Sequence, residues 1–263
     1  MNTIISRAVF LDFDGVLFDT VREVYAVSKI ALDRSTRIID INFGSKNFKK
    51  FNQLRYMVGP AWNYYYVMQA VDKESLGTAY DLENEYKYLI KHRTQNKHGS
   101  FEKNFFKVRN QLREKEHHHW LSWVSPYTIV GSLREIISEF QGQFFIVTTR
   151  DRESVIDLLN LHNLSIPGSY IFAKTEYALN NSKAHIIQHL IDKHQIEESL
   201  FVDDLEEHLV ACSTIENLST IQAKWGYVVP EKKEDNSVFL LKKLERFIHG
   251  GKCSDLNKNF LTN

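Results

Sequence analysis

Residues 8–13, Ala-Val-Phe-Leu-Asp-Phe, form a short apolar run that ends in carboxylates, the pattern of a strand buried on both faces of a parallel sheet. Thr20-Val-Arg-Glu23 then reads as a capping box, so a helix is expected to begin near residue 20. From there to about residue 120 no buried-strand pattern recurs. Leu82, Tyr86, Leu89 and Ile90 repeat at helical spacing, as do Phe101, Phe105, Val108 and Leu112, and the stretch reads as a helical insertion. Trp62, Tyr64, Tyr65 and Tyr66 crowd together inside it, as expected of the core of a small helical domain rather than a ligand box. After Pro126 strand and helix alternate. A helix through Leu133, Ile136, Ile137 and Phe140 leads to a strand at 144–147, and a helix through Val155, Ile156 and Leu159 to a short strand at 170–172. A further helix through Ile187, Leu190 and Ile191 leads to Leu200-Phe201-Val202-Asp203-Asp204, and a last strand or two is expected around 221–229. Such alternation implies right-handed crossovers and an α/β fold with a parallel sheet covered by helices. The predicted organisation is a core of residues 1–20 and 121–250, an all-helical insertion at 21–120, and a tail at 251–263 that lacks periodicity and is expected to fray.

Composition narrows the class. The chain has 263 residues, 43% hydrophobic and 25% charged, as in a soluble globular protein. Thirty-three basic residues balance thirty-three acidic ones, so neither nucleic acid nor an anionic membrane is expected as a partner, and any anionic ligand must be held locally. Cys212 and Cys253 lie far apart without metal-ligand spacing, which fits a reducing, cytoplasmic setting better than a disulfide framework. Asp12 and Asp14 interrupt the apolar run near the start, and no targeting or transmembrane segment is visible.

In an open parallel sheet, ligands bind beyond the carboxyl ends of the strands, so the residues that close each apolar run hold the candidate chemistry. They are Asp12-Phe13-Asp14-Gly15, Thr148-Thr149-Arg150 and Asp203-Asp204. Four crowded carboxylates repel unless a cation neutralises them, and an all-oxygen set suits Mg²⁺. At these residues the sequence resembles the haloacid dehalogenase-like hydrolase superfamily. Its first motif stands here as Asp12-Phe13-Asp14-Gly15-Val16, its second corresponds to Thr148, its third to Lys183 and its fourth to Asp203-Asp204. The resemblance covers roughly 7–20 and 126–229, and the insertion falls where many members carry a helical cap.

The resemblance implies a Rossmann-like sheet core and Mg²⁺ held by Asp12, the backbone carbonyl of Asp14, and one or both of Asp203 and Asp204. It also implies a reaction. Asp12 would attack phosphorus and form an aspartyl phosphate. Asp14 would protonate the leaving oxygen and then deprotonate the attacking water. Thr148 and Lys183 would bind the phosphoryl group. Asp14 argues against the dehalogenases of the superfamily, which lack an acid there, while Thr149 and Ala184 stand where many members have Asn and Pro. Lys174 competes with Lys183. The latter is preferred because Asn181 and Ser182 are good N-caps, and a nearby anion would offset the cost of a cation in a first helical turn.

Asp19 is explained as a helix cap, Thr149 and Arg150 as turn residues, and His117, His118 and His119 as a solvated face rather than a metal cluster. Arg150 and Arg55 are candidates to touch substrate. The expected activity is a Mg²⁺-dependent phosphatase acting on a small phosphorylated metabolite. A phosphotransferase or phosphomutase, or a non-enzymatic binding protein that kept the fold, are the alternatives.

Overall fold

In the computed structural model, which describes residues 5–251 with side chains at all but 95–97, the opening apolar run becomes the middle strand of a five-stranded parallel sheet. The strands are β1 (Arg7–Leu11), β2 (Phe144–Val147), β3 (Ile171–Phe172), β4 (Glu198–Asp203) and β5 (Leu218–Gln222). Their order in the sheet is β3-β2-β1-β4-β5, all parallel. The chain moves outward from β1 through β2 and β3, then returns to the other side of β1 with β4. That reversal opens a crevice beyond the carboxyl ends of β1 and β4. Register places Leu11 opposite Val202, so Asp12 and Asp203 leave the sheet side by side.

Ala8, Phe10, Phe145, Val147 and Phe201 pack with Ile187, Leu190 and Ile191 of the helix Lys183–His194 and with Leu209 and Cys212. Burial of one such large side chain is worth about 1.5–3 kcal/mol, which makes this layer the foundation of the crevice above it. The apolar faces at 129–139 and 237–248 form the helices Ile129–Glu139 and Ser237–Ile248, with Leu133, Ile137, Leu240 and Leu244 buried.

The last strand starts earlier than expected and stops at Gln222. Residues 223–229 turn back instead. Gly226 N donates to Ala223 O at 3.1 Å, and Trp225 Nε1 donates to Val16 O at 3.1 Å, which commits this segment to the loop after β1. Apart from Gly251, whose amide donates to Arg246 O at 2.8 Å, the tail at 251–263 lies outside the described residues. No helix among the described residues is long and apolar enough to cross a membrane.

By its contacts the chain divides into two compact units: residues up to Asp19 together with those from Pro126 onward, and Thr20–Ser125. The second unit contains the helices Val21–Leu32, Lys46–Leu54, Asn63–Val71, Ala79–Lys91, Gln95–Lys115 and His117–Ser122. Phe101, Phe105, Val108 and Leu112 are all buried, as their spacing requires. Tyr64, from the aromatic cluster, lies between Phe51 and Phe105 in a column of near-parallel rings with centroids 5.6 and 5.5 Å apart.

Glu23 departs from expectation. Thr20 does precede the helix, but its side chain makes no cap bond. Glu23 is fully buried, and its two oxygens accept from Arg109 Nε at 2.7 Å and Arg109 Nη2 at 3.1 Å, with Trp120 Nε1 at 3.3 Å. The guanidinium also lies 4.7 Å from the Phe105 ring centroid. Arg109→Met should therefore destabilise the protein by about 3–5 kcal/mol, because it leaves a carboxylate in an apolar core without its guanidinium. The double variant Glu23→Met/Arg109→Met should recover most of that loss in denaturant unfolding. A double variant as unstable as the single one would show that packing, not charge, sets the cost.

Candidate active site

The loop after β1 is built on close approach. Leu17 N and Phe18 N both donate to Phe13 O, at 2.9 and 3.1 Å, and Gly15 N donates to Phe18 O at 2.9 Å. Gly15 has φ +85°, and a Cβ there would collide with the Asp204 carboxylate. Gly226 faces the Gly15 carbonyl just as tightly. The Asp204 carboxylate is thereby lodged against the loop, with Tyr227 N donating to its Oδ2 at 2.7 Å. Asp19 belongs to the same arrangement: it accepts from Tyr227 OH at 2.8 Å, and Thr20 rather than Asp19 occupies the helix N-cap.

Lys183 joins the two central strands. Its Nζ lies 2.8 Å from Asp12 Oδ1 and 2.7 Å from Asp203 Oδ2. Lys183, not Lys174, is the lysine brought to Asp12. Ser182 caps its helix by accepting from Ala184 N at 3.0 Å, while Asn181 ends the preceding helix in a left-handed conformation. The two carboxylates offset the unfavourable helix dipole at that position. Asp203 also accepts from Leu205 N at 2.9 Å on Oδ1 and lies 3.0 Å from His208 Nδ1 on Oδ2.

Burial pushes the Asp12 carboxyl up to about 6, against the pull of Lys183. Burial acts the same way on Asp203, but Lys183 and His208 together outweigh it and hold that carboxyl well below the usual range. For Lys183, burial opposes the charge and the two carboxylates more than restore it, so its ammonium is held above the ordinary lysine value.

Thr148 is buried just past β2, and its Oγ1 accepts from Arg150 N at 3.2 Å, which leaves the hydroxyl proton to donate elsewhere. Arg150 lies in a bend, as expected, and is also buried. Its side chain is 0% exposed, and Nη1 lies 2.9 Å from Asp14 Oδ1. Arg55 lies in the helical unit, buried, with Nη1 donating to Val58 O at 3.2 Å and the guanidinium over the Tyr64 ring. His117, His118 and His119 are exposed on their helix, as expected.

The structure thus brings Asp12, Lys183 and Asp203 together, pairs Asp14 with Arg150, and lodges Asp204 beneath the loop. Sequence reasoning missed His208, although it lies only one helical turn beyond the acid pair. Asp12 and Asp203 supply carboxylate oxygens of the kind a hard divalent cation takes, and Asp14 and Asp204 stand on the loops that follow the same two strands. Asp12, Asp203 and His208 each offer a ligand atom within 4.8 Å of the others.

The raised Asp12 carboxyl has a consequence for stability. Its folded value of about 6 exceeds the ordinary 3.8, so its contribution is full below about pH 4 and is lost as pH rises through 6. In protein stripped of divalent cations, Asp12→Asn should therefore be more stable than the parent above pH 6, with the difference shrinking towards pH 4. Denaturant titrations across that range test it, and a variant less stable at every pH would show that the Lys183 pairing outweighs burial.

Against protein-family models and against curated protein sequences the chain gives no match. Solved structures resemble it over nearly their whole length. A candidate phosphoglycolate phosphatase from Lactobacillus delbrueckii subsp. bulgaricus aligns with TM-score 0.59 at 14% identity, covering 91% of this chain and 98% of that one. A predicted phosphoglycolate phosphatase from Haemophilus somnus 129pt aligns with TM-score 0.54 at 15% identity, covering 89% and 96%. A haloacid dehalogenase-like family hydrolase from Streptococcus pneumoniae aligns with TM-score 0.53 at 14% identity, covering 87% and 89%. With its five parallel strands in this order and its acid-rich loops at their carboxyl ends, the chain has the fold of the haloacid dehalogenase-like hydrolases.

Proposed function

We propose that the protein is a Mg²⁺-dependent phosphatase that hydrolyses a small phosphomonoester through an aspartyl phosphate on Asp12. The observation that carries this reading is the buried Lys183 ammonium between Asp12 and Asp203, at the point where the strand order reverses. A carboxylate held there by a cation is oriented as a nucleophile, and the same ammonium offsets the charge an incoming phosphoryl group brings. Asp12 attacks phosphorus as the bond to the leaving oxygen breaks, and Asp14 gives that oxygen its proton. Water then attacks the aspartyl phosphate, returning its proton to Asp14 and releasing phosphate and free Asp12. Thr148 donates its hydroxyl to a phosphoryl oxygen. Mg²⁺ would be held by Asp12, the Asp14 backbone carbonyl and one or both of Asp203 and Asp204, and would supply charge neutralisation to the phosphoryl oxygens.

The names of two structural neighbours make small phosphorylated carboxylic acids the first substrates to test. A cytoplasmic setting suits Cys212, whose thiol burial pushes up to about 11 and so keeps unreactive. The test is phosphate release from a panel that includes phosphoglycolate and nitrophenyl phosphate, with Mg²⁺ and after chelation and dialysis. Release should require Mg²⁺, and Asp12→Asn should reduce it to background while the fold survives. Turnover that persists without divalent cations, or repeated turnover by Asp12→Asn, would overturn the proposal.

A further inference from the structure

Arg150 lies just past the end of β2, and its side chain is enclosed on every side that the structure describes. Nη1 donates to Asp14 Oδ1 at 2.9 Å, and Nε donates to Ser154 Oγ at 2.8 Å. Ser154 is itself fixed: its amide donates to Asp151 Oδ1 at 3.0 Å and its hydroxyl to Asp151 O at 3.1 Å. The Arg150 backbone is held at both ends, its amide by Thr148 Oγ1 and its carbonyl by Lys174 N at 2.8 Å. The Phe13 ring centroid lies 5.8 Å from the guanidinium carbon. The guanidinium thus reaches a charged group of the crevice, Asp14, whose side chain is 16% exposed.

We infer that Arg150 is a positioning residue for Asp14, and that Ser154 keeps the guanidinium aimed. The inference rests on the phosphatase reading, in which Asp14 moves a proton at the leaving oxygen. An aspartate on a turn has several staggered side-chain orientations, only some of which reach that oxygen. Proton transfer requires a separation of about 2.6–3.2 Å, so a carboxylate that samples other orientations loses rate in proportion. A planar guanidinium anchored at Nε by Ser154 fixes Oδ1 and so narrows the sampling, and the proton that moves to the leaving oxygen is carried on Oδ2. An ion pair that merely held the fold together would show no preference for one leaving group over another. A positioning pair affects esters according to how much their leaving oxygen needs a proton.

The experiment compares wild type, Arg150→Lys, Arg150→Met and Ser154→Ala on dinitrophenyl, nitrophenyl, phenyl and alkyl phosphates, with kcat and KM measured separately. For Arg150→Met the loss in kcat should be at least about tenfold greater on phenyl and alkyl phosphates than on dinitrophenyl phosphate. Arg150→Lys should recover part of that difference, and KM should move little. Ser154→Ala should reproduce the pattern more weakly, and it carries the comparison if Arg150→Met does not fold. An equal loss on every ester, or a loss confined to KM, would overturn the role of Arg150 and leave the phosphatase reading standing. Failure of the wild type to hydrolyse any ester would overturn both.

Discussion

A single ammonium group makes the central crevice tolerable. The register of β1 with β4 sends Asp12 and Asp203 out of the sheet as neighbours, and both are enclosed. Without Lys183 two buried negative charges would face each other at the end of a well-packed apolar layer. Breaking a pair of this kind costs about 3–5 kcal/mol, comparable with burying one or two of the large aromatics beneath it. The helix that carries Lys183 is in turn held down by Ile187, Leu190 and Ile191, so the position of the charge is set by the hydrophobic layer below. Packing thus determines electrostatics here.

The helical unit solves the same problem differently. Its carboxylate, Glu23, sits in the first turn of the helix Val21–Leu32, and its partners come from the last two helices of the insertion. One ion pair therefore fastens the beginning of the insertion to its end, around a column of stacked rings from three helices. Both units place a buried acid against a buried base. In the sheet core the acids lie where chemistry is proposed, and in the helical unit the pair lies within the packing.

Much of this was legible in the sequence, for a reason that also explains what was not. Apolar runs that end in Asp12, Thr148 and Asp203 announce buried strands and their carboxyl ends, because a parallel sheet leaves no other place for those side chains. Lys183 could be chosen over Lys174 because a cation at a helix start is costly unless an anion is near. What stayed hidden are the remote partners. Glu23, read as part of a local cap, meets Arg109, 86 positions away, and Arg150, read as a turn residue, also meets Asp14, 136 positions away. Asp19 resembled a cap and meets Tyr227. A local pattern registers only local alternatives, so a short polar motif that satisfies one of them conceals a distant partner. The early end of β5 has the same origin, since the turn after it exists to reach Val16.

That reach imposes an order on the making of the molecule. The loop that carries Asp12 and Asp14 is shaped by Trp225, Gly226 and Tyr227, with bonds that span 209 and 208 residues. On the ribosome the first motif emerges before Trp225 and Tyr227 and must wait for them before its buttress exists. A chain truncated before residue 225 would hold every residue proposed to react and still lack the scaffold that gives the loop its shape. Contacts so distant in sequence are the slowest to form. The loop, on this view, takes its shape only once Trp225, Gly226 and Tyr227 have joined it.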